Sequence, residues 1–226
     1  MHMSIFFCTF AAAKVCASTN GQQMQIRIDD DIKRGTAEEI ERLLPLVSAQ
    51  RREQALRFKH PFGQYCCLRS WIMLKELMGE RLAANGEWEY NEYGKPFLKE
   101  KGEGLKEKSA QYFSISHCHE AIAVVVDDQP IGIDIESIRP AKEELVAQTM
   151  NEEEFQLWSA LPTATDKDRF FTRLWTQKEA VLKCLGTGIQ SFEQLKNVLS
   201  EQPAIGVQTF EKEKYICSIA SKTMEN

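Results

Sequence analysis

Residues 112–136 read YFSISHCHEAIAVVVDDQPIGIDIE, and three short β-branched segments divided by turn residues stand out in them: YFSIS, AIAVVVDD and QPIGIDIE. This pattern predicts neighbouring antiparallel strands, so a sheet is expected here. From Ile131 to Glu136 three isoleucines alternate with Gly132, Asp134 and Glu136, and strand side chains alternate between faces. Asp134 and Glu136 therefore share one face, their Cα atoms ~6.5–7 Å apart, within reach of one hard cation. Gly132, on the same face, is expected to leave room for a ligand. A half-exposed strand with its acids facing water would show the same alternation. Upstream, FSISH ends a strand with Ser116 and His117 where a loop begins, a common place for a site. A serine hydrolase is disfavoured, because there is no G-x-S-x-G elbow.

Downstream, Pro140 and Asn151-Glu152-Glu153-Glu154 each signal a helix start, and Lys167 to Leu185 predicts a long amphipathic helix stopped by Gly186 and Gly188. Steps of 100° place Phe171, Leu174, Trp175, Val181, Leu182 and Leu185 on its core-facing side. Glu179 and Lys183 follow Trp175 at i+4 and i+8 along the edge of that seam, a spacing that also decorates ordinary helix surfaces. Lys178 falls amid the seam, where a cation is costly unless it snorkels or meets an acid; snorkelling is the expectation. Two weaker strands are expected around 205–210 and 215–220.

Toward the start, MQIRIDDD from Met24 reads as a first strand, and residues 1–23 as an appendage. Their short apolar run resembles a signal core, but no Lys or Arg precedes it and Lys14 follows it, which argues against secretion. Thr36 caps a helix carrying Ile40, Leu43, Leu44 and Val47; Pro45 marks a kink or break. A second helix covers Gln50 to Lys59, and a third runs from Pro61 to Gly79. Residues 85–110, rich in Gly, Glu and Lys, suggest short strands separated by exposed loops, with Gly94-Lys95-Pro96 as a tight turn offering a cation.

The 226 residues suffice for one large domain or two small fused ones, and the pattern is α+β. Lys plus Arg number 28 against 33 Asp plus Glu, a net charge of −5, so no global basic field draws nucleic acid or an anionic membrane. No apolar run approaches the ~20 residues of a bilayer span. Seven cysteines, with no C-x-x-C pair, fit a reduced thiol set and a cytoplasmic location.

Taken in order, GKP at 94–96, FSISH at 113–117, GIDIE at 132–136 and WTQKEAVLK at 175–183 resemble the 4′-phosphopantetheinyl transferases. The resemblance is to their longer, single-chain, surfactin-synthetase-activating branch, and it covers roughly residues 24–220, including RREQALRFKHPFGQY. It implies two similar α+β halves related by a pseudo-twofold axis, here 24–130 and 131–226, with coenzyme A between them and the metal site in the second; residues 1–23 are an extension. The implied reaction moves the phosphopantetheine arm of coenzyme A to a serine of an apo acyl or peptidyl carrier protein, with Mg²⁺. The products are holo carrier and adenosine 3′,5′-bisphosphate, a holo-[acyl-carrier-protein] synthase activity.

By the same resemblance, Asp134, Glu136 and Glu179 are metal ligands, Glu179 is also the base for the carrier serine, and Lys183 meets a pyrophosphate oxygen. Ser116 and His117 are phosphate contacts, Lys95 and Pro96 flank the adenine, and Arg51 supplies a cation for the 3′-phosphate. Ser114, Cys118 and Gln54 depart from the family's more frequent Asn, Ser and basic residue. A monomer is expected, because one chain supplies both sides of the cleft. Two other classes share these residues: a noncatalytic module binding coenzyme A or a carrier protein, and a Mg²⁺-dependent phosphohydrolase.

Overall fold

The computed structural model describes residues 24–32, 35–79, 88–98 and 112–222. The 1–23 extension, with Cys8 and Cys16, and most of the expected loop region 85–110 lie outside the described residues. The chain is mixed α+β. In order it forms β1 (Gln25–Asp29), α1 (Ala37–Leu43), a 3-10 turn (Leu44–Leu46), α2 (Ala49–Leu56), α3 (Pro61–Met78), β2 (Trp88–Tyr90), β3 (Pro96–Leu98), β4 (Tyr112–His117) and β5 (Ile122–Asp127). There follow β6 (Ile131–Ser137), α4 (Glu143–Thr149), α5 (Glu152–Ser159), α6 (Ala164–Leu185), α7 (Phe192–Glu201), β7 (Ile205–Glu211) and β8 (Tyr215–Lys222).

Two three-stranded antiparallel sheets, β1-β5-β4 and β6-β8-β7, carry the fold, and β2-β3 is a separate pair. β5 is apolar on both faces. Ile122, Val124 and Val126 pack with α1 and α3, while Ala121, Ala123 and Val125 belong to the core shared with Ile131, Ile133 and Ile135 of β6. The three isoleucines are fully buried, each worth about 1.5–3 kcal/mol relative to exposure. The sheets thus lie face to face, with α3 behind the first and α6 behind the second.

One expectation is corrected here. β4 and β5 are antiparallel neighbours, but β6 does not join their sheet. β1 and β4 already occupy both edges of β5, so the chain crosses to a second layer and β6 pairs with β8, Asp134 opposite Ser218. β8, faint in sequence, is the central strand of that sheet and is buried from Tyr215 to Ala220.

The helix boundaries follow local chemistry. Thr36 and Thr163 accept backbone N–H groups at the starts of α1 and α6, and Asn151 and Glu154 form a reciprocal capping box on α5. Gly186 ends α6 in the left-handed region at φ +77°, which a side chain would resist. No helix among the described residues is long and apolar enough to cross a membrane.

The buried face of α6 includes Thr172, Thr176, Ala180 and Cys184, at i, i+4 spacing, with Val181 and Leu182 of the expected apolar seam, whereas Phe171, Leu174 and Trp175 are half-buried and Leu185 is exposed. Small side chains bring this helix close to the sheet. A Cβ at Gly132 would meet Ala180 O at 2.0 Å and Cys184 N at 2.4 Å, so the helix backbone, not a ligand, fills the room beside this glycine. Lys178 is also corrected. It does not snorkel: it is 1% exposed, and its ammonium donates to Glu154 Oε2 at 2.6 Å and Thr149 O at 2.8 Å, tying α6 to α4 and α5.

Candidate active site

Asp134 lies where β4, β6 and α6 meet. It is 3% exposed, and its Oδ1 accepts from Ser116 Oγ at 2.9 Å and Lys183 Nζ at 2.6 Å. Lys183 also donates to Ser116 Oγ at 3.0 Å, closing a triangle of three side chains from three elements. Strand alternation aims Asp134 away from the isoleucine core, and the Gly132 contact brings α6 near enough for Lys183 to reach it. The backbone N–H of Ile133 donates to Ser114 Oγ at 3.1 Å, which fastens β6 to β4 one residue before Asp134.

Glu136 and Glu179 flank this triangle, each half-buried. Burial, and next the charge of Asp134, pushes the Glu136 carboxyl up to about 7, against relief from Lys183 and Arg139. Glu179 is raised for the same leading reasons, with Lys183 again opposing. All three carboxylates therefore feel one another across β6 and α6. Among the described residues no three His, Cys, Asp or Glu side chains form a ready-made metal cage. Like charges oppose their closer approach, and the Lys183 ammonium already engages Asp134.

The donor set nevertheless suits a hard divalent ion. Asp134 Oδ2 is buried without a hydrogen-bond partner, a costly state that a cation would relieve, and the acids beside it are oxygen donors destabilised by their own repulsion.

The expected phosphate and nucleotide residues spread outward from this centre. His117, exposed at the end of β4, has its pKa lowered by the surrounding protein and then by Lys183 and Arg51, so these cations share its neighbourhood. Arg51 is 8% exposed, donates to Cys67 O, Gln54 Oε1 and Ser70 Oγ, and lies 5.9 Å from the centroid of the Trp71 ring. The bonds to Cys67 and Ser70 bind α2 to α3, so a ligand phosphate would have to share the guanidinium with them. Lys95 turns inward, its ammonium 3.3 Å from both Ile131 O and Cys184 O; Pro96 begins β3. A cleft of about 540 Å³ between Phe62, His119 and Tyr215 includes none of these residues.

Ser114 and Asn91 were not among the expected site residues. Ser114 stood out only as a departure from the Asn more frequent in the family. Asn91, two residues before Tyr93 and three before Gly94, carries the mark of a side chain that shapes its own turn.

Residues 130–223 match the family model of the 4′-phosphopantetheinyl transferase superfamily. Similar curated proteins include 4′-phosphopantetheinyl transferase psf-1 of Bacillus pumilus, 29% identical over 169 residues that cover 74% of this chain and 68% of the relative. The Sfp transferase of Bacillus subtilis (strain 168) is 29% identical over 158 residues, covering 67% and 66%. The HetI transferase of Nostoc sp. (strain PCC 7120 / SAG 25.82 / UTEX 2576) is 29% identical over 177 residues, covering 76% and 73%. The chain thus spans about two thirds of the length of the Bacillus relatives. GIDIE and WTQKEAVLK, which meet at Asp134, both lie inside the region that matches the superfamily model.

Proposed function

We propose that this protein transfers the 4′-phosphopantetheine group of coenzyme A to a serine of an apo acyl or peptidyl carrier protein, leaving adenosine 3′,5′-bisphosphate. The observation that carries the reading is Asp134, a buried carboxylate with one oxygen held by Ser116 and Lys183 and the other without a partner. Asp134, Glu136 and Glu179 would hold Mg²⁺. When bound, the ion supplies positive charge shared between these acids and the pyrophosphate, turning mutual repulsion into attachment.

The chain's own residues supply positioning. Lys183, 30% exposed at its side chain, would exchange Asp134 for a pyrophosphate oxygen and neutralise charge gathering on the departing bisphosphate. Ser116 and His117 would donate to phosphate oxygens, Lys95 and Pro96 would flank the adenine, and Arg51 would lend charge to the 3′-phosphate. Glu179 would take the proton of the carrier serine as its oxygen bonds to phosphorus and the bond from phosphorus to the bisphosphate breaks.

The same reading divides the chain into halves 24–130 and 131–226 about a pseudo-twofold axis. It is supported by their like build, a three-stranded antiparallel sheet backed by a long helix, α3 or α6. One chain then supplies both sides of the cleft, as a monomer would. Incubating the protein with coenzyme A, Mg²⁺ and apo carrier proteins tests the assignment by intact mass: a carrier should gain about 340 Da. Consumption of coenzyme A with no gain would mark a hydrolase, and binding without consumption a noncatalytic module.

A further inference from the structure

Among the described residues the β2-β3 hairpin pairs with neither main sheet, and a two-stranded pair is at best marginally stable alone. Its position rests largely on side chains. Asn91 Oδ1 accepts from Tyr93 N at 3.0 Å and Lys95 N at 2.8 Å, while its Nδ2 donates to Gly186 O at 2.7 Å. Two N–H donors at one atom and a carbonyl at the other fix the orientation of the amide. Gly186 is the left-handed cap of α6, three residues past Lys183. A Cβ there would come within 3.3 Å of Asn91 Nδ2 and 3.2 Å of Lys95 Cδ, so the hairpin is seated directly on the helix end. Lys95 adds a second tie, to the carbonyls of Cys184 and Ile131. On the other side, Gln54 Nε2 donates to Tyr90 OH at 2.7 Å and links the hairpin to α2.

We propose that Asn91 is a positioning residue that shapes the Tyr93–Pro96 turn through Oδ1 and latches it to the C-terminus of α6 through Nδ2. The latch keeps the turn in register with Lys183 and Glu179 on the same helix. Resting on the function proposed above, it holds the nucleotide and pyrophosphate ends of one coenzyme A molecule at a fixed separation.

Two variants separate the roles. Asn91→Asp keeps the acceptor that shapes the turn but replaces the donor with an oxygen facing Gly186 O; Asn91→Ala removes both. Hydrogen exchange without ligand, read over residues 91–98, should quicken in both variants. By calorimetry with Mg²⁺, coenzyme A should bind about tenfold more weakly to Asn91→Asp, as loss of one part-buried hydrogen bond implies, while inorganic pyrophosphate binds as before. Exchange unchanged in Asn91→Asp would overturn the latch. Equal weakening of both ligands, or undiminished coenzyme A affinity, would overturn its role in register. Failure of the unaltered protein to bind coenzyme A would instead strike at the proposed function, leaving the exchange result to judge the latch.

Discussion

Gly132→Ala adds a single methyl group, and the packing of β6 on α6 sets its consequence. The new Cβ would lie 2.0 Å from Ala180 O and 2.4 Å from Cys184 N, where real Cβ atoms essentially never approach within 3.0 Å. Both obstacles are backbone, so no rotamer change relieves them. The helix must retreat by about 1 Å, from 2.0 Å to at least 3.0 Å. Overpacking of this kind costs about 1–3 kcal/mol, and at about 2–4 °C per kcal/mol for a chain of this size the melting temperature should fall by roughly 2–12 °C. The larger effect falls on chemistry. Lys183 and Glu179 travel with the helix while Asp134 stays on the strand, and a displacement of ~1 Å can cost about a hundredfold in rate. Ile133→Val, on the opposite face of β6, is the control. It should cost about 0.5–1.5 kcal/mol without moving α6. Thermal unfolding and the coenzyme A-dependent mass shift of a carrier would be read for both. Transfer by Gly132→Ala at the unaltered rate, with an unaltered melting temperature, would refute the packing argument.

Lys178→Met should destabilise the fold by about 3–5 kcal/mol, because it strands Glu154 in a buried pair. Adding Glu154→Gln should then cost less than it does alone, and unfolding of the single and double variants checks both. Removing Lys183 as Lys183→Met leaves Asp134 buried with Ser116 alone. Lys183 is partly exposed, so the cost is nearer ~2 kcal/mol. Mg²⁺ should restore more melting temperature to this variant than to the unaltered protein, and equal gains would contradict the cation's placement. Glu136, held at about 7 in the fold against an ordinary value of 4.5, binds its proton more tightly folded than unfolded. Its contribution to metal-free stability is therefore fully present below pH 4.5 and is lost as pH rises through about 7. His117, lowered in the fold, acts in the opposite sense on acidification, so the comparison is with Glu136→Gln. Melting temperatures in chelator should fall between pH 4.5 and about 7 more steeply for the unaltered protein than for that variant.

Alternation in GIDIE placed Asp134 and Glu136 on one face, and the helix wheel put Glu179 and Lys183 near each other, because both readings depend on local periodicity alone. The partner of β6 was not legible. Nothing within QPIGIDIE says that both edges of β5 are taken, and the strand that receives it, β8, lies far along the chain. The intimacy of α6 with the sheet was hidden for a different reason. A search for large apolar residues passes over Thr172, Thr176, Ala180 and Cys184, whose smallness matters. Lys178 looked like a snorkelling lysine because its acid, Glu154, belongs to another helix, where its capping role was the visible one. Arg51 was read from the resemblance as a phosphate cation, whereas its bonds to Cys67 and Ser70 depend on how α2 meets α3.

The proposed transfer requires a single divalent-ion seat between β6 and α6. Mn²⁺ as a paramagnetic stand-in for Mg²⁺, titrated in the presence of coenzyme A and followed by electron paramagnetic resonance, measures that seat without relying on turnover. One ion should bind per chain, with loss of the bound signal in Asp134→Asn and marked weakening in Glu179→Gln. Binding of equal strength and number in both variants would place the ion elsewhere and contradict the account.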